Sequence, residues 1–516
     1  MHLHLSPHAS FKGKRVLIFQ QRGWALSVGH FLAQRLQNEG AILAALTAKQ
    51  TTHDFILSQQ EVRYELIESS DAIKSKPREY LAGTSYSLES ICASLQIDSI
   101  WPLVAGARNH VRSYKDKYYY GFRQNVLDED IVLYVMAVYK CIEHIFSTFL
   151  PEAIIVPNFP TLHHLMFYHY AKARGVKMIT LTDSKISGVY IFAHDYNYSE
   201  GRFYAHVDAL RSGQKVSQNH EPAKCYIAES RVALKIPEGA GLWNPKNKKR
   251  KLSQRLRTAI SPYYHIYKWY RYAQKNHWES IGPSIDYKPP RIILRDHYAY
   301  SRYRKETNAY PYYPFEKLDK FVYFPLQMQP EEAIDIIAPF FSNQIETARQ
   351  VAMSLPDDYT LVVKEHPAMV GLRPPSYLEK LARTPNVKLI DYRISSQKVL
   401  SATQLVICTN GTTIAEAAFL RKPVIQLGNL GTTQKLPNVF RNTDMTKLPE
   451  KVKELLTVNL ETSTYEKELE DFVASAYDCG FAINYITMWE QGKNKEEREK
   501  LWQAYAEELR SVLPQP

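Results

Sequence analysis

Between residues 321 and 428 a short apolar run of strand character is followed by a helical run four times in succession, and a fifth strand-like run closes the series. The strands read FVYFPL, YTLVVK, VKLI, QLVICT and KPVIQLG, with helices expected at 340–354, 376–383, 395–401 and over TIAEAAFL. Strands separated by helices require a parallel sheet covered on both faces, because a parallel connection must cross over the sheet. The N-terminal part repeats the logic: RVLIF at 15–19, a helix in GHFLAQRLQNEG, AILAAL, a long helix near 128–149, AIIVP, a helix in LHHLMFYHYAKARG, and VKMITLT. The fold class expected is α/β, with two Rossmann-like domains facing across a cleft and ligands held at the carboxyl ends of the strands. The N-terminal domain is placed at 1–238, a basic aromatic linker or insertion at 239–290, the second domain at 291–463, and C-terminal helices at 464–516.

Charge separates the middle segment from the rest. The chain has 65 Lys and Arg against 53 Asp and Glu, a net charge of +12. Ten of those basic residues, and no acid, lie between Lys246 and Lys275, so the basic character is local. The same stretch carries Tyr263, Tyr264, Tyr267, Trp269, Tyr270 and Tyr272. It reads as a solvated linker, as a surface for an anionic membrane or glycan, or, third in order, as a nucleic-acid surface. The most apolar stretch, 131–150, is interrupted by Lys140, Glu143 and His144 and is expected to be a core helix. The N-terminus lacks an apolar run and a small-residue cleavage site, which predicts a cytoplasmic protein, peripheral at the inner membrane if the basic segment meets lipid. Five widely spaced cysteines with no CxxC pair are expected to be small core residues.

Within the second block, the strand ending at Cys408 runs into Thr409, Asn410, Gly411, Thr412 and Thr413 and then directly into a helix. Glycine lets the backbone approach an anion, and the free amides and dipole of the helix start favour one, so the loop is a phosphate cradle. Thr412 and Thr413 can also be plain N-caps. Glu416, expected in the first helical turn, is suited to accept from two ribose hydroxyls, or to be a favourable charge at a helix start. Glu365-His366-Pro367 ends another strand, where an imidazole can donate to a phosphate oxygen. Gln327 and Gln329 follow the block's first strand and offer amides for a sugar or phosphate. Asp128-Glu129-Asp130 has the spelling of a metal motif but precedes an apolar helix, where negative charge is explained by the dipole alone, so no metal is expected.

The run YFPLQMQPEEA, LPDDYTLVVKEHP, CTNGTTIAEAAFLRKPVIQLG and LPNVF resembles the bacterial capsule and surface polysaccharide biosynthesis glycosyltransferases, including capsule Kdo transferases, over about residues 320–442. EAIIVPNFPTLHHLMFYHYAKARGVKMITLTDSKISG is similar to their strand, turn and helix. The resemblance implies a GT-B-like fold and a nucleotide-sugar donor, with His366 near its phosphate and Thr409 to Thr413 with Glu416 around phosphate and ribose. The His-Pro pair favours a CMP-linked acidic sugar. It further implies a glycan or lipid-linked acceptor against the N-terminal domain, no cofactor besides the donor substrate, and C-terminal helices crossing back to that domain. On this reading Gly29 and His30 begin a helix facing the cleft, and His30 and Asp183 are the candidate catalytic groups. Two other functions fit the same cradle: a nonhydrolysing nucleotide-sugar epimerase, which needs no acceptor, and a noncatalytic nucleotide-binding scaffold of polysaccharide assembly.

Overall fold

The computed structural model describes residues 11–107, 126–235, 252–272, 288–491 and 494–513. Lys246 to Lys251 and Lys275, part of the basic cluster, lie outside them. Among the described residues the chain forms two sheets. The first holds β1 (Arg15–Gln20), β2 (Ile42–Thr47), β3 (Leu66–Ser69), β4 (Ala153–Ile155), β5 (Lys177–Asp183) and β6 (Val189–Ala193). The second holds β7 (Phe321–Pro325), β8 (Thr360–Lys364), β9 (Val387–Ile390), β10 (Leu405–Cys408), β11 (Val424–Gln426) and β12 (Val439–Arg441). Both are covered by helices, giving two Rossmann-like α/β domains.

Strand order places the crevices. The second sheet runs β12-β11-β10-β7-β8-β9 and is parallel throughout, so its order reverses between β7 and β10. The first runs β13-β6-β5-β4-β1-β2-β3, where β13 is Phe481–Ala482, and reverses between β1 and β4. At such a reversal the connecting helices leave on opposite faces and the loops part, opening a crevice at the carboxyl ends. The first sheet departs from the expected parallel pattern at one edge, where β5 and β6 pair antiparallel and β13 adds antiparallel to β6. Only residues 184–188 join β5 to β6, too few for a crossover.

Asp128–Thr148 is the one described helix long and apolar enough to span a bilayer, yet Ile131, Tyr134, Val135, Val138, Ile142 and Ile145 are buried in the core of the first domain. Their i, i+3, i+4, i+7 spacing makes one continuous stripe, and each buried side chain contributes about 1.5–3 kcal/mol. The chain's end returns to the first domain: Leu501, Trp502, Tyr505 and Leu509 of Lys495–Val512 share a core with Val16 and Ile18 of β1. Of the cysteines, Cys141 and Cys408 are buried, but Cys225 is exposed, against expectation, on the open side of the helix His220–Val232.

Among the described residues, the segment expected to be a linker or insertion contains helical structure. Leu252–Tyr272 and Pro290–Asn308 are helices that pack on each other, and the second leans on the loop following His366, where a Cβ on Gly371 would lie 2.8 Å from the Tyr300 ring.

Candidate active site at the domain junction

The reversal between β7 and β10 sets Gln327, after β7, beside Gly411, after β10; a Cβ on Gly411 would stand 2.8 Å from Gln327 Oε1. Gly411 has φ of +113°, a conformation L side chains rarely adopt, and it is the residue that caps Thr412–Phe419. No side chain caps that helix, so Thr412 and Thr413 are its first turn and not its caps; the Ile414 amide donates to the Gly411 carbonyl at 3.4 Å, which leaves the Thr412 and Thr413 amides at the helix start. Gly411→Ala is therefore expected to cost about 1–3 kcal/mol of stability, read as a lowered urea midpoint.

Two buried oxygens beside this loop, Thr409 Oγ1 and Glu416 Oε2, have no hydrogen-bond partner. Buried polar groups are nearly always paired, so orphans clustered at a crevice mark a place where a ligand's hydroxyls belong. Glu416 is the fifth helical residue and so sits in the second turn, not the first. Burial raises its pKa, and the nearby Lys364 opposes that rise. Lys364 itself ends β8, donates to the Ile394 carbonyl at 3.0 Å, and is lowered to about 8 by burial, with Glu416 acting the other way.

His366 accepts from the Ala368 amide at Nδ1, 3.2 Å, which leaves the ring proton on Nε2. Burial, with the Arg373 and Lys364 charges, lowers its pKa to about 4, so at neutral pH it is an uncharged donor. The loop carrying it is clamped from below. Glu365 Oε1 accepts from the His366 amide at 2.7 Å and from Arg373 Nη1 at 2.7 Å, and Arg373 Nη2 donates to the Gln327 carbonyl at 2.9 Å. Both charged side chains are 1% exposed.

Three expected ligand groups are spent inside the protein. Gln329 Nε2 donates to Asp335 Oδ1 at 2.6 Å and to the Ser342 carbonyl. Gln327 Nε2 donates to the Pro325 carbonyl and lies 3.3 Å from Cys408 Sγ. Asn410 donates to the Ala333 carbonyl and accepts from Gln426 and the Leu430 amide. They fix the loops; Thr409, Gly411, Thr412, Thr413, His366 and Glu416 remain around the crevice.

In the first domain, Gln21 after β1 and Asn158 after β4 bridge the reversal, 2.5 Å apart. Next to them a cavity of about 10 Å³, room for one water, is bounded by Phe19, Thr47, Ser70 and His164. The loop of Asn158 also meets the second domain. Glu332 Oε1 accepts from the Phe159 amide at 3.1 Å and from Tyr198 Oη at 2.6 Å, and burial above all raises its pKa to about 7. Its neighbour Glu331 is open to solvent, yet both domains crowd it. Loss of hydration raises its pKa to about 7, with Lys185 lowering it and Asp335 raising it. Sequence reasoning passed over Glu331 and Glu332 in favour of the glutamines. No local signal distinguishes them, because the groups that crowd them come from the other domain.

His30 does not begin a helix at the cleft. Helical backbone runs without a break from Arg22 through a π-turn at Ala25–Gly29, so His30 lies about 12 Å along it, bonded to Glu61 at 2.6 Å and packed edge-on against Phe55. Asp183 does end β5, but its carboxylate accepts from the Lys185 amide at 2.9 Å and ammonium at 3.0 Å. Asp128, Glu129 and Asp130 form the first turn of their helix, and no metal-binding cluster occurs among the described residues.

Residues 246–431 match the family model described as "Capsule polysaccharide biosynthesis protein". That segment is similar to the capsule polysaccharide biosynthesis family. It contains β7 to β11 and every part of the crevice from Gln327 to Glu416. No curated protein matches the sequence. Among solved structures, the β-Kdo 2,7 transferase KpsC of Thermosulfurimonas dismutans is 12% identical, with 74% of this chain and 97% of that chain covered and a TM-score of 0.34. The calicheamicin glycosyltransferase CalG4 is 12% identical over 97% and 100% of the two chains, TM-score 0.28. The UDP-GlcNAc 2-epimerase of Neisseria meningitidis is 11% identical over 93% and 100%, TM-score 0.25.

Proposed function

We propose that the protein is a glycosyltransferase of capsule or surface polysaccharide assembly, taking a nucleotide-activated sugar in the second domain and a glycan or lipid-linked acceptor against the first. The observation that carries this reading is the crevice inside the capsule-family segment. It joins an uncapped helix start at Thr412, the Nε2–H of a neutral His366, and orphaned oxygens on Thr409 and Glu416. The amides of the helix start and His366 are donors for a phosphate, and Glu416 is an acceptor for sugar hydroxyls. A CMP-linked acidic sugar is the donor favoured by the likeness of the His366-Pro367 strand end to transferases of that kind. No step needs a metal, since amides and Lys364 offset the charge of the leaving phosphate.

Glu331 is the acceptor's base in this scheme. It takes the hydroxyl proton as the acceptor oxygen bonds to the anomeric carbon and the bond from that carbon to the phosphate oxygen breaks. The protein works in the cytoplasm, where activated sugars are made.

His366→Ala and Glu416→Ala are each expected to weaken nucleotide binding about 10- to 100-fold, the worth of a hydrogen bond to a charged group. Calorimetry with CMP, UDP and GDP measures this, and urea unfolding checks that both variants fold. Unchanged affinity in both would dismiss the crevice as the donor site. Incubation with activated sugars, with and without a glycan acceptor, separates transfer from epimerisation, which proceeds without acceptor, and from binding alone.

A further inference from the structure

The helix Leu252–Tyr272 carries its apolar face outward. Leu256, Ile260, Tyr263, Tyr264, Tyr267 and Tyr270 are each more than half exposed, from 53% to 72%. At 3.6 residues per turn the six fall within an arc of about 120° and extend about 21 Å along the axis. Part of the other side is turned in: Pro262 is buried and Ile266 and Trp269 are half-buried, where the helix packs on Pro290–Asn308, while Thr258 and His265 remain exposed. Arg257, Lys268 and Arg271 flank or interrupt the exposed arc, and Lys268 Nζ stands 5.0 Å from the centre of the Tyr264 ring. The helix has no acidic residue.

We propose that this face is an interfacial helix, lying in the plane of an anionic lipid surface. Charge complementarity names the occupant. The sequence from Lys246 to Lys275 has ten basic residues and no acid, and the helix's own three described cations border its apolar arc. Tyrosines keep a hydrated hydroxyl above an apolar ring, as the headgroup boundary requires, and flanking cations meet lipid phosphates. With Arg255, Arg257, Lys268 and Arg271 along it, the helix is too polar to cross a bilayer. Its packing partner Pro290–Asn308 rests through Tyr300 on Gly371, in the loop beyond His366, so one helix connects the lipid-facing surface to the crevice. The lipid contact stands apart from the transferase reading; only its use, bringing a lipid-borne acceptor to the cleft, rests on that reading.

The test is sedimentation of the full chain with vesicles of phosphatidylcholine alone or mixed with phosphatidylglycerol. Binding is expected to the anionic vesicles and not to the neutral ones, and to fall steeply at 1 M salt, where the screening length drops to about 3 Å. A variant with Tyr263→Ser, Tyr264→Ser, Tyr267→Ser and Tyr270→Ser is expected to bind about tenfold more weakly or worse. So is one with Arg257→Gln, Lys268→Gln and Arg271→Gln. Circular dichroism and nucleotide affinity, unchanged in both, show that the fold and the crevice persist. Three results would overturn the proposal: equal binding to both vesicle types, no binding to either, or a concentration-dependent dimer that the tyrosine variant dissolves while vesicles are ignored. The last would make the face a contact between copies of the chain. Loss of nucleotide binding in His366→Ala with vesicle binding retained keeps the two readings separate.

Discussion

Arg373→Met is expected to destabilise the protein by about 3–5 kcal/mol, because it strands the Glu365 carboxylate in a site that is 1% exposed. The guanidinium is held by Glu365 Oε1 and by the Gln327 carbonyl, and it lies 4.6 Å from the centre of the Tyr377 ring. It therefore joins the loops after β7 and β8. Urea unfolding gives the size of the effect. Adding Glu365→Gln to Arg373→Met should recover a large part of the loss, since removing both charges costs far less than removing one. A double variant as unstable as the sum of the two single ones would mean that the side chains contribute by packing and not as a pair. Nucleotide affinity should fall with Arg373→Met even where the protein remains folded, because the His366 amide is anchored on the same Glu365 oxygen.

Glu331→Gln is expected to lower the rate of sugar transfer about 10²- to 10⁴-fold, the usual contribution of a general base, with nucleotide affinity unaltered. A base works in its deprotonated form, so the wild-type rate should climb with pH and level off. Crowding raises the carboxyl group's pKa, which puts the midpoint of that climb between the ordinary carboxylate range and about 7. The amide variant should lose this limb altogether. Lys185→Met removes the cation that pulls the value down and should move the midpoint upward. A full-rate Glu331→Gln enzyme would return the search for the base to Asp183 or His30.

Much of the architecture could be read before any coordinates. The alternation from 321 to 428 specified a doubly wound domain because a buried parallel strand and its crossover helix each leave a periodic apolar signature in the local sequence. The loop at Thr409 to Thr413 was legible for the same reason: a strand, a glycine and a helix start within a few residues are a local arrangement. What failed were inferences about direction. The helix expected to start near Gly29 begins at Arg22, since nothing in QQRGWALSV forbids helical backbone, and this carried His30 away from the cleft. Gln327, Gln329 and Asn410 are polar residues at strand ends, the right place for ligand contacts. Whether an amide meets a ligand or a neighbouring loop depends on partners such as Asp335, Ser342 and Gln426, 6 to 16 residues away.

The outward apolar face of Leu252–Tyr272 could be suspected from its composition, but which side packs inward is decided by Pro290–Asn308. The same division runs through the cleft. Residue order along one strand and its following helix determines the fold and the crevice beside Gly411, because those depend on neighbours in the chain. Glu331 and Glu332 acquire their character from Lys185, Phe159 and Tyr198, residues 134 to 173 positions distant in the case of Glu332. Burial and charge are summed over atoms in space, so only the meeting of the two domains could assign those two carboxylates different chemistries, one locking the junction and the other open to the cleft.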